Sequence, residues 1–296
     1  MKSDEVMRNH GKTFFWATTF LPHAEAEDIH TLYAFCRFVD DLVDVKGLSC
    51  QKIIEDLESQ QSEIPPVKRF LSMATRLKMS LDPAKILVNT IEKDRSGQRI
   101  DSWRTLLRYA YAAASTVGLM ICDILGVKNR KAYAFAVDLG IAMQLTNIAR
   151  DIYEDAVQNR IYIPQEAFTA SLSADTIILD ENLEQIVNVR EKILKLADMY
   201  YASADTGMHF LPLASRLSII IASRLYQAKG ETIRKEPLKY FKTRANVHFF
   251  GKIYHTLRAL QFFCSDYLFP QSDKIKHDAS LHVDLHYLPA IDSPVR

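Results

Sequence analysis

The 296-residue sequence predicts an all-α protein, and three observations carry that expectation. Glycine and proline are scarce, nine and ten in all, so few positions interrupt the chain. The stretches between them repeat apolar residues at helical spacing and do not alternate as strands would. The breakers that do occur stand where helices should start or stop. Asp82-Pro83 sets a capping residue before a proline suited to the first helical position, and Gly47, Gly97, Gly126 and Gly230 sit at expected helix ends.

In chain order, helices are expected at about 24–45, 50–61, 66–79, 83–95, 102–126, 129–155, 181–205, 209–229 and 245–268, with ends set to within about two to four residues. Residues 164–182 form the longest irregular stretch, "PQEAFTASLSADTIILDEN". No repeat or linker divides the chain, so a single helical domain over 1–296 is expected, with the polar stretch 272–296 loosely attached. That stretch carries His277-Asp278, His282 and His286, a pattern a metal-dependent phosphohydrolase could use. No helical core follows it and a working site would need more ligands, so these residues read as a solvated tail.

Composition limits the functions available. Hydrophobic residues make up 48% and charged residues 25%, enough for a large core in a globular protein. A formal net charge of +1 gives no global attraction to nucleic acid or to an anionic membrane, so any electrostatic function must be local. Cys36, Cys50, Cys122 and Cys264 are widely spaced without a CxxC, which fits a reducing cytoplasm better than a disulfide or zinc framework. "MKSDEVMRNH" has no apolar run of the secretory kind, and "LSIIIASRLY" is broken by Arg224 and too short to span a bilayer. A cytoplasmic location without a transmembrane helix is expected, with peripheral membrane contact left open.

Two polar stripes stand out on otherwise apolar helices. In "HTLYAFCRFVDDLVDV", Tyr33, Arg37, Asp40 and Asp44 share one helical face by their spacing, with Leu32, Phe35, Phe38, Val39, Leu42 and Val43 on the other positions. In "NRKAYAFAVDLGIAMQLTNIARDIYED", Gln144, Asn147, Asp151 and Asp155 do the same on a helix that is apolar nearly all round and should lie at the centre of the core. Like charges at i and i+4 oppose each other by roughly 0.2–0.5 kcal/mol even in water, so such pairs in apolar helices need a partner. If the stripes face one another across a cavity, four carboxylates offer hard oxygen ligands to divalent cations, with positions left for water and phosphate oxygens. Mg²⁺ is the expected ion, with Mn²⁺ as its substitute. Arg37 and Arg150 could share the neutralisation of a diphosphate.

At these residues the sequence resembles the squalene and phytoene synthase family of head-to-head prenyl transferases. The likeness is carried by "YAFCRFVDDLVD" (33–44) and "MQLTNIARDIYEDAVQNRIYIP" (143–164), by "YAAASTVGLM" (111–120), which resembles a segment leading into a GLM turn, and by "HGKTFFWATTFLP" (10–22). It covers residues 10 to 165 clearly and reaches more weakly to about residue 260. The resemblance implies an isoprenoid-synthase-type helical bundle around a deep central cavity. It implies that Asp40, Asp44, Asp151 and Asp155 hold metal and that Tyr33 and Arg37 join them in catalysis. Lys12, Thr13, Gln144, Asn147, Arg150 and Tyr226 would then bind substrate, with Arg244 and Lys252 as further contributors from the C-terminal half.

The implied reaction joins two allylic prenyl diphosphates through a cyclopropylcarbinyl diphosphate. Two C20 geranylgeranyl diphosphates giving phytoene is the expected case, on the argument that the small residues Ala17, Thr18 and Thr19 leave room at the cavity floor. C15 farnesyl diphosphate, giving dehydrosqualene, presqualene diphosphate or squalene, is the alternative. NADPH is not expected. A reactive cation needs dry walls, for which Phe14, Phe15, Trp16, Phe20, Tyr33, Phe35, Tyr109, Tyr111, Leu119, Met120, Ile141, Met143 and Leu145 are candidates. Two departures touch substrate preference: Gly11 stands where serine is frequent, and Ser115 where glycine is. A non-catalytic assembly protein on the same fold remains a rival, but such a relative should have lost aspartates that are all present here.

Overall fold

The computed structural model describes residues 3–95, 97, 99–169, 172–268 and 276–291. These residues form helices joined by short turns, and the one β-bridge among them pairs Arg99 with Ile161. The chain opens with α1 (Ser3–His10) and α2 (Lys12–Thr18), then the long α3 (His23–Asp44). Three shorter helices follow: α4 (Gln51–Ser59), α5 (Pro65–Leu77) and α6 (Asp82–Arg95). α7 (Trp103–Ala110) passes through a π-helical stretch, Tyr111–Ser115, into α8 (Thr116–Ile124). α9 (Lys131–Val157), the short α10 (Ala174–Ile177), α11 (Leu183–Gly207), α12 (Leu213–Lys235), the short α13 (Lys239–Lys242) and α14 (Phe249–Leu268) complete the helices. A 3-10 segment, Ala279–Leu285, comes last.

α9 is the central element, packed along its length on α11 and also on the π segment, α8 and α12. Its apolar residues occupy every side, and Val137, Ile141, Ala142, Leu145 and Ala149 are fully buried. A helix apolar all round gains by being enclosed. The segments Trp103–Ile124 and Lys131–Val157 each reach a mean hydropathy of 1.2 over 18 residues, long and apolar enough to cross a membrane, yet 56% and 67% of those windows are buried within the protein. Here they serve as core helices.

Gly47, Gly97 and Gly126 take φ of +64°, +76° and +64°, the left-handed backbone that ends a helix at little cost for glycine. Gly230 departs from expectation. α12 continues past it to Lys235, and a Cβ on Gly230 would lie 3.3 Å from Leu194, so this glycine serves close approach of α12 to α11. In place of the turn the resemblance implies, the GLM stretch is helical, and a Cβ on Gly118 would sit 2.9 Å from the Ala136 carbonyl oxygen, at the α8–α9 contact. Helices α1 and α2 lie ahead of the first helix expected from periodicity, because each is too short to establish a pattern.

The C-terminal stretch also differs from the solvated tail expected. Residues 272–275 and 292–296 lie outside the described residues, but 276–291 lie against the bundle. Tyr200 donates its hydroxyl to the Leu281 carbonyl at 2.7 Å, Tyr111 to Pro289 at 2.7 Å, and Arg108 to Asp284 at 3.1 Å. Leu285 and His282 are buried. The contact partners are 81 to 178 residues away along the chain, so no local pattern could signal the docking.

Candidate active site

Asp40 and Asp44 project from the last turns of α3, and Asp151 and Asp155 from the last turns of α9. Arg160, in the turn that leaves α9, joins the two groups. Its backbone N–H donates to the Asp155 carbonyl at 2.8 Å, and its guanidinium donates to the Asp44 carboxylate at 2.6 Å. Asp44 is bonded to the guanidinium of a residue five positions beyond Asp155, so the two acidic turns share one region.

The four carboxylates are not equivalent. Burial, then the neighbouring Asp44, pushes Asp40 up to about 7, against the pull of Arg37. Burial, then Asp151, pushes Asp155 up to about 8, with Arg160 acting in the opposite sense. Asp151 goes the other way: burial opposes its charge, but hydrogen bonds from Arg150 and Arg244 hold it below the ordinary carboxylate range. Arg150 grips it with two bonds of 2.7 and 2.5 Å, and Arg244 with two of 3.2 and 3.1 Å.

Asp94, at the end of α6, belongs to the same acidic region. Burial pushes its carboxyl up to about 6, with Tyr109 and Arg160 lowering it and Asp44 raising it. Tyr109 donates to it at 2.9 Å and stacks on Tyr162 with ring centroids 4.8 Å apart. Neither Asp94 nor Arg160 was singled out in the sequence, although Arg160 lies inside the quoted "QNRIYIP". Asp94 gave no signal, because a lone acid in a polar final turn looks like any solvated charge.

Arg37 does not bond Asp40 or Asp44. It pairs with Asp41 at 2.6 Å, an i, i+4 ion pair outside the polar stripe, and its Nε is buried with no partner among the described residues. Asn147 Oδ1 and Asp94 Oδ1 are likewise buried without partners. Asn147 reaches Gln144 at 3.5 Å, a long contact.

The opposite end of the polar surface is built by α2, α12 and α14. Tyr33 fills the space that a Cβ on Gly11 would need, its ring carbons and hydroxyl lying 2.8–2.9 Å from that position. The missing hydroxyl at residue 11 thus has a local steric reason. Phe14 packs on Tyr226 at 5.1 Å, and the Lys229 ammonium sits 3.5 Å from the Tyr226 ring centre. Burial, then Arg150, holds Lys229 well below the ordinary lysine range. Lys252 donates to the Lys12 carbonyl at 3.4 Å, which brings two ammonium-bearing residues together from opposite ends of the chain. Thr13 is half-buried on α2.

The proposed wall residues divide by burial. Phe35, Tyr111, Leu119, Met120, Ile141 and Leu145 are buried to within 2% and fill the core, while Phe14, Phe15, Trp16, Tyr33 and Met143 are half-buried and Phe20 is exposed. Of the three small residues, Ala17 and Thr18 are buried and Thr19 is exposed. The Thr18 hydroxyl is engaged with the Phe15 carbonyl at 2.9 Å and with His30 at 3.1 Å. Ser115 is accounted for by its bond to the Val137 carbonyl at 2.7 Å and by its backbone lying 2.5 Å from where a Cβ on Gly140 would be. The large partner is tolerated because residue 140 is glycine.

Comparison with known proteins places the chain among prenyl-synthase relatives. The chain is 28% identical to a phytoene synthase of Rhodobacter capsulatus over 95% of its length and 90% of the relative's. It is 30% identical to a 4,4'-diapophytoene synthase of Staphylococcus haemolyticus, over 86% of this chain and 94% of that one. Its fold matches a crystal structure of a dehydrosqualene synthase with a TM-score of 0.81 at 25% identity, covering 89% of this chain and 95% of the other. Residues 7–250, which contain both acidic stripes and the α2, α12 and α13 surfaces around them, match the squalene/phytoene synthase family model, and the chain belongs to that family.

Proposed function

We propose that this protein joins two allylic prenyl diphosphates head to head through a cyclopropylcarbinyl diphosphate, with two C20 geranylgeranyl diphosphates giving phytoene. The observation that carries the reading is the meeting of the acidic turns of α3 and α9 around Arg160, beside a surface of arginine and lysine side chains. The residues fit a divalent cation. Asp40 and Asp155 hold their protons up to about 7 and 8 without one, and Asp94 and Asn147 present unpartnered buried oxygens. Hard oxygen donors of this kind suit Mg²⁺, with Mn²⁺ as substitute.

Asp40, Asp44, Asp151 and Asp155 would hold the metal, which when bound neutralises the departing diphosphate. Arg150 and Arg244 hold Asp151 ionised and aimed, Arg160 donates a hydrogen bond to Asp44, and Arg37 presents positive charge to phosphate oxygens. Lys12 and Lys252 serve the second diphosphate from the α2 side, with Thr13, Gln144 and Asn147 as hydrogen-bonding groups. Phe14, Trp16, Tyr33 and Tyr226 exclude water and turn aromatic faces toward the allylic cation. Proton loss, without NADPH, ends the reaction.

A C15 substrate is the second reading, favoured by the diapophytoene synthase and dehydrosqualene synthase relatives. Purified protein with Mg²⁺ and C15 or C20 diphosphate, with and without NADPH, separates the two by mass spectrometry of the extracted hydrocarbon. A C40 product made without NADPH supports phytoene, whereas a C30 product moves the enzyme to the C15 branch. Failure to consume either diphosphate overturns the reading. We place the enzyme in the cytoplasm as one catalytic domain, with product leaving at a membrane surface. α14 exposes Phe250, Leu257 and Leu268 at 82%, 60% and 67% on the helix that carries Lys252. Co-sedimentation with phospholipid vesicles checks that contact.

A further inference from the structure

A second group of metal-ligating side chains lies toward the other end of α9. Asp138 is fully buried on that helix, and both of its carboxylate oxygens are engaged. Oδ2 accepts from Ser203 at 2.6 Å and from His277 Nε2 at 2.8 Å, and Oδ1 accepts from His282 Nε2 at 2.7 Å. One ligand atom from each of Asp138, His277 and His282 lies within 4.8 Å of the others, and the two imidazole centroids are 4.2 Å apart. Asp138 precedes Asp151 by more than three turns of one helix, on the order of 20 Å, so this cluster is separate from the acidic stripes.

A dry carboxylate is costly to leave without positive charge or donors beside it. One imidazole and the Ser203 hydroxyl would meet its hydrogen-bonding needs, but two imidazoles converge on it, both through Nε2 and both from the docked 276–291 stretch. We propose that Asp138, His277 and His282 form a divalent transition-metal site, zinc by donor type, that clips residues 276–291 onto α9 and α11. Two nitrogens and one carboxylate oxygen suit Zn²⁺, whereas Mg²⁺ prefers oxygen alone.

The present separations of 2.7–2.8 Å are those of hydrogen bonds. Zinc bound at ~2.0–2.1 Å in tetrahedral geometry holds neighbouring ligand atoms roughly 3.3 Å apart, so the imidazoles need to withdraw by only about half an ångström. Each neutral imidazole then carries its proton on Nδ1, leaving the Nε2 lone pair for the ion. The Ser203 hydroxyl or a water entering beside the half-buried His277 supplies the fourth ligand.

The test uses the full-length protein, stripped with EDTA, dialysed and held in millimolar Mg²⁺ so that oxygen-donor sites are filled. Titration with Co²⁺ should give one equivalent with the strong visible bands of a four-coordinate nitrogen site, displaced by one equivalent of Zn²⁺. Zn²⁺ should also raise the melting temperature. His277→Gln and His282→Gln keep an amide donor for Asp138 and should each weaken uptake at least tenfold, while Asp40→Asn leaves the titration unchanged. Absence of those bands and of a melting shift in the wild type overturns the proposal, as does equal uptake by the two glutamine variants. Should those variants fail to fold, X-ray absorption of the zinc-loaded wild type decides: imidazole nitrogens in the coordination shell support the site, and oxygen alone refutes it.

Discussion

Replacing Asp155 by asparagine should make the metal-free protein more stable while destroying its activity. In the absence of metal this carboxyl is raised from 3.8 to about 8 by burial and by Asp151. At pH 7 the folded group still holds its proton while the unfolded one has lost it. Only the interval between 3.8 and pH 7 counts, and at ~1.4 kcal/mol per tenfold change in proton activity the penalty is at most ~4 kcal/mol. Relaxation and water entry around the group reduce this, so a gain of ~2 kcal/mol is expected. For 296 residues, an unfolding entropy of roughly 0.6 kcal/mol per kelvin converts that gain to about 3 °C.

The sign fixes the pH dependence. A raised carboxyl makes the folded state hold more protons than the unfolded one, so its contribution disfavours folding increasingly as pH climbs from about 4 to about 8 and is constant above that. Melting curves in EDTA at pH 6, 7 and 8 should show the wild type losing stability relative to Asp155→Asn across that range. With Mg²⁺ and inorganic diphosphate added, the order should reverse, because only the wild type gains full binding energy. A variant that melts at or below wild type in EDTA, with the pH slope unchanged, would make Asp155 a structural residue whose carboxyl is not held protonated by burial.

Asp40→Asn and Asp151→Asn should each abolish turnover while the helical circular dichroism stays intact, and near-normal turnover in either would remove that residue from the metal set. Arg160→Ala removes a charge that lowers Asp94 and Asp155. Both carboxyls should rise further, shifting the acid limb of the kcat/KM profile to higher pH, with a higher Mg²⁺ requirement at pH 7. Gly11→Ala forces a Cβ into the Tyr33 ring. It should cost about 1–3 kcal/mol in a melt and raise KM for the prenyl diphosphate, whereas unchanged values would mean Tyr33 is free to move.

Much of the fold lay open in the sequence because its helices are long. A run such as 129–155 repeats its pattern often enough to identify itself, and the observed Lys131–Val157 differs by two residues at each end. The two acidic stripes were legible for the same reason: helical geometry alone puts Asp40 with Asp44 and Asp151 with Asp155, and charge repeated on apolar helices is conspicuous. What sequence could not give was the partnership of side chains from different helices. Arg160 turned to Asp44 and Arg244 to Asp151. Those choices depend on inter-helix distances that no local spacing encodes. Asp94 looked ordinary until burial beside Tyr109 and Asp44 raised its carboxyl. Gly230 read as a breaker, and only packing distinguished a helix end from a close crossing. The C-terminal histidines were the largest misreading, because a polar stretch without periodicity has no inward face of its own. Asp138, on a helix 139 and 144 residues away, supplies one.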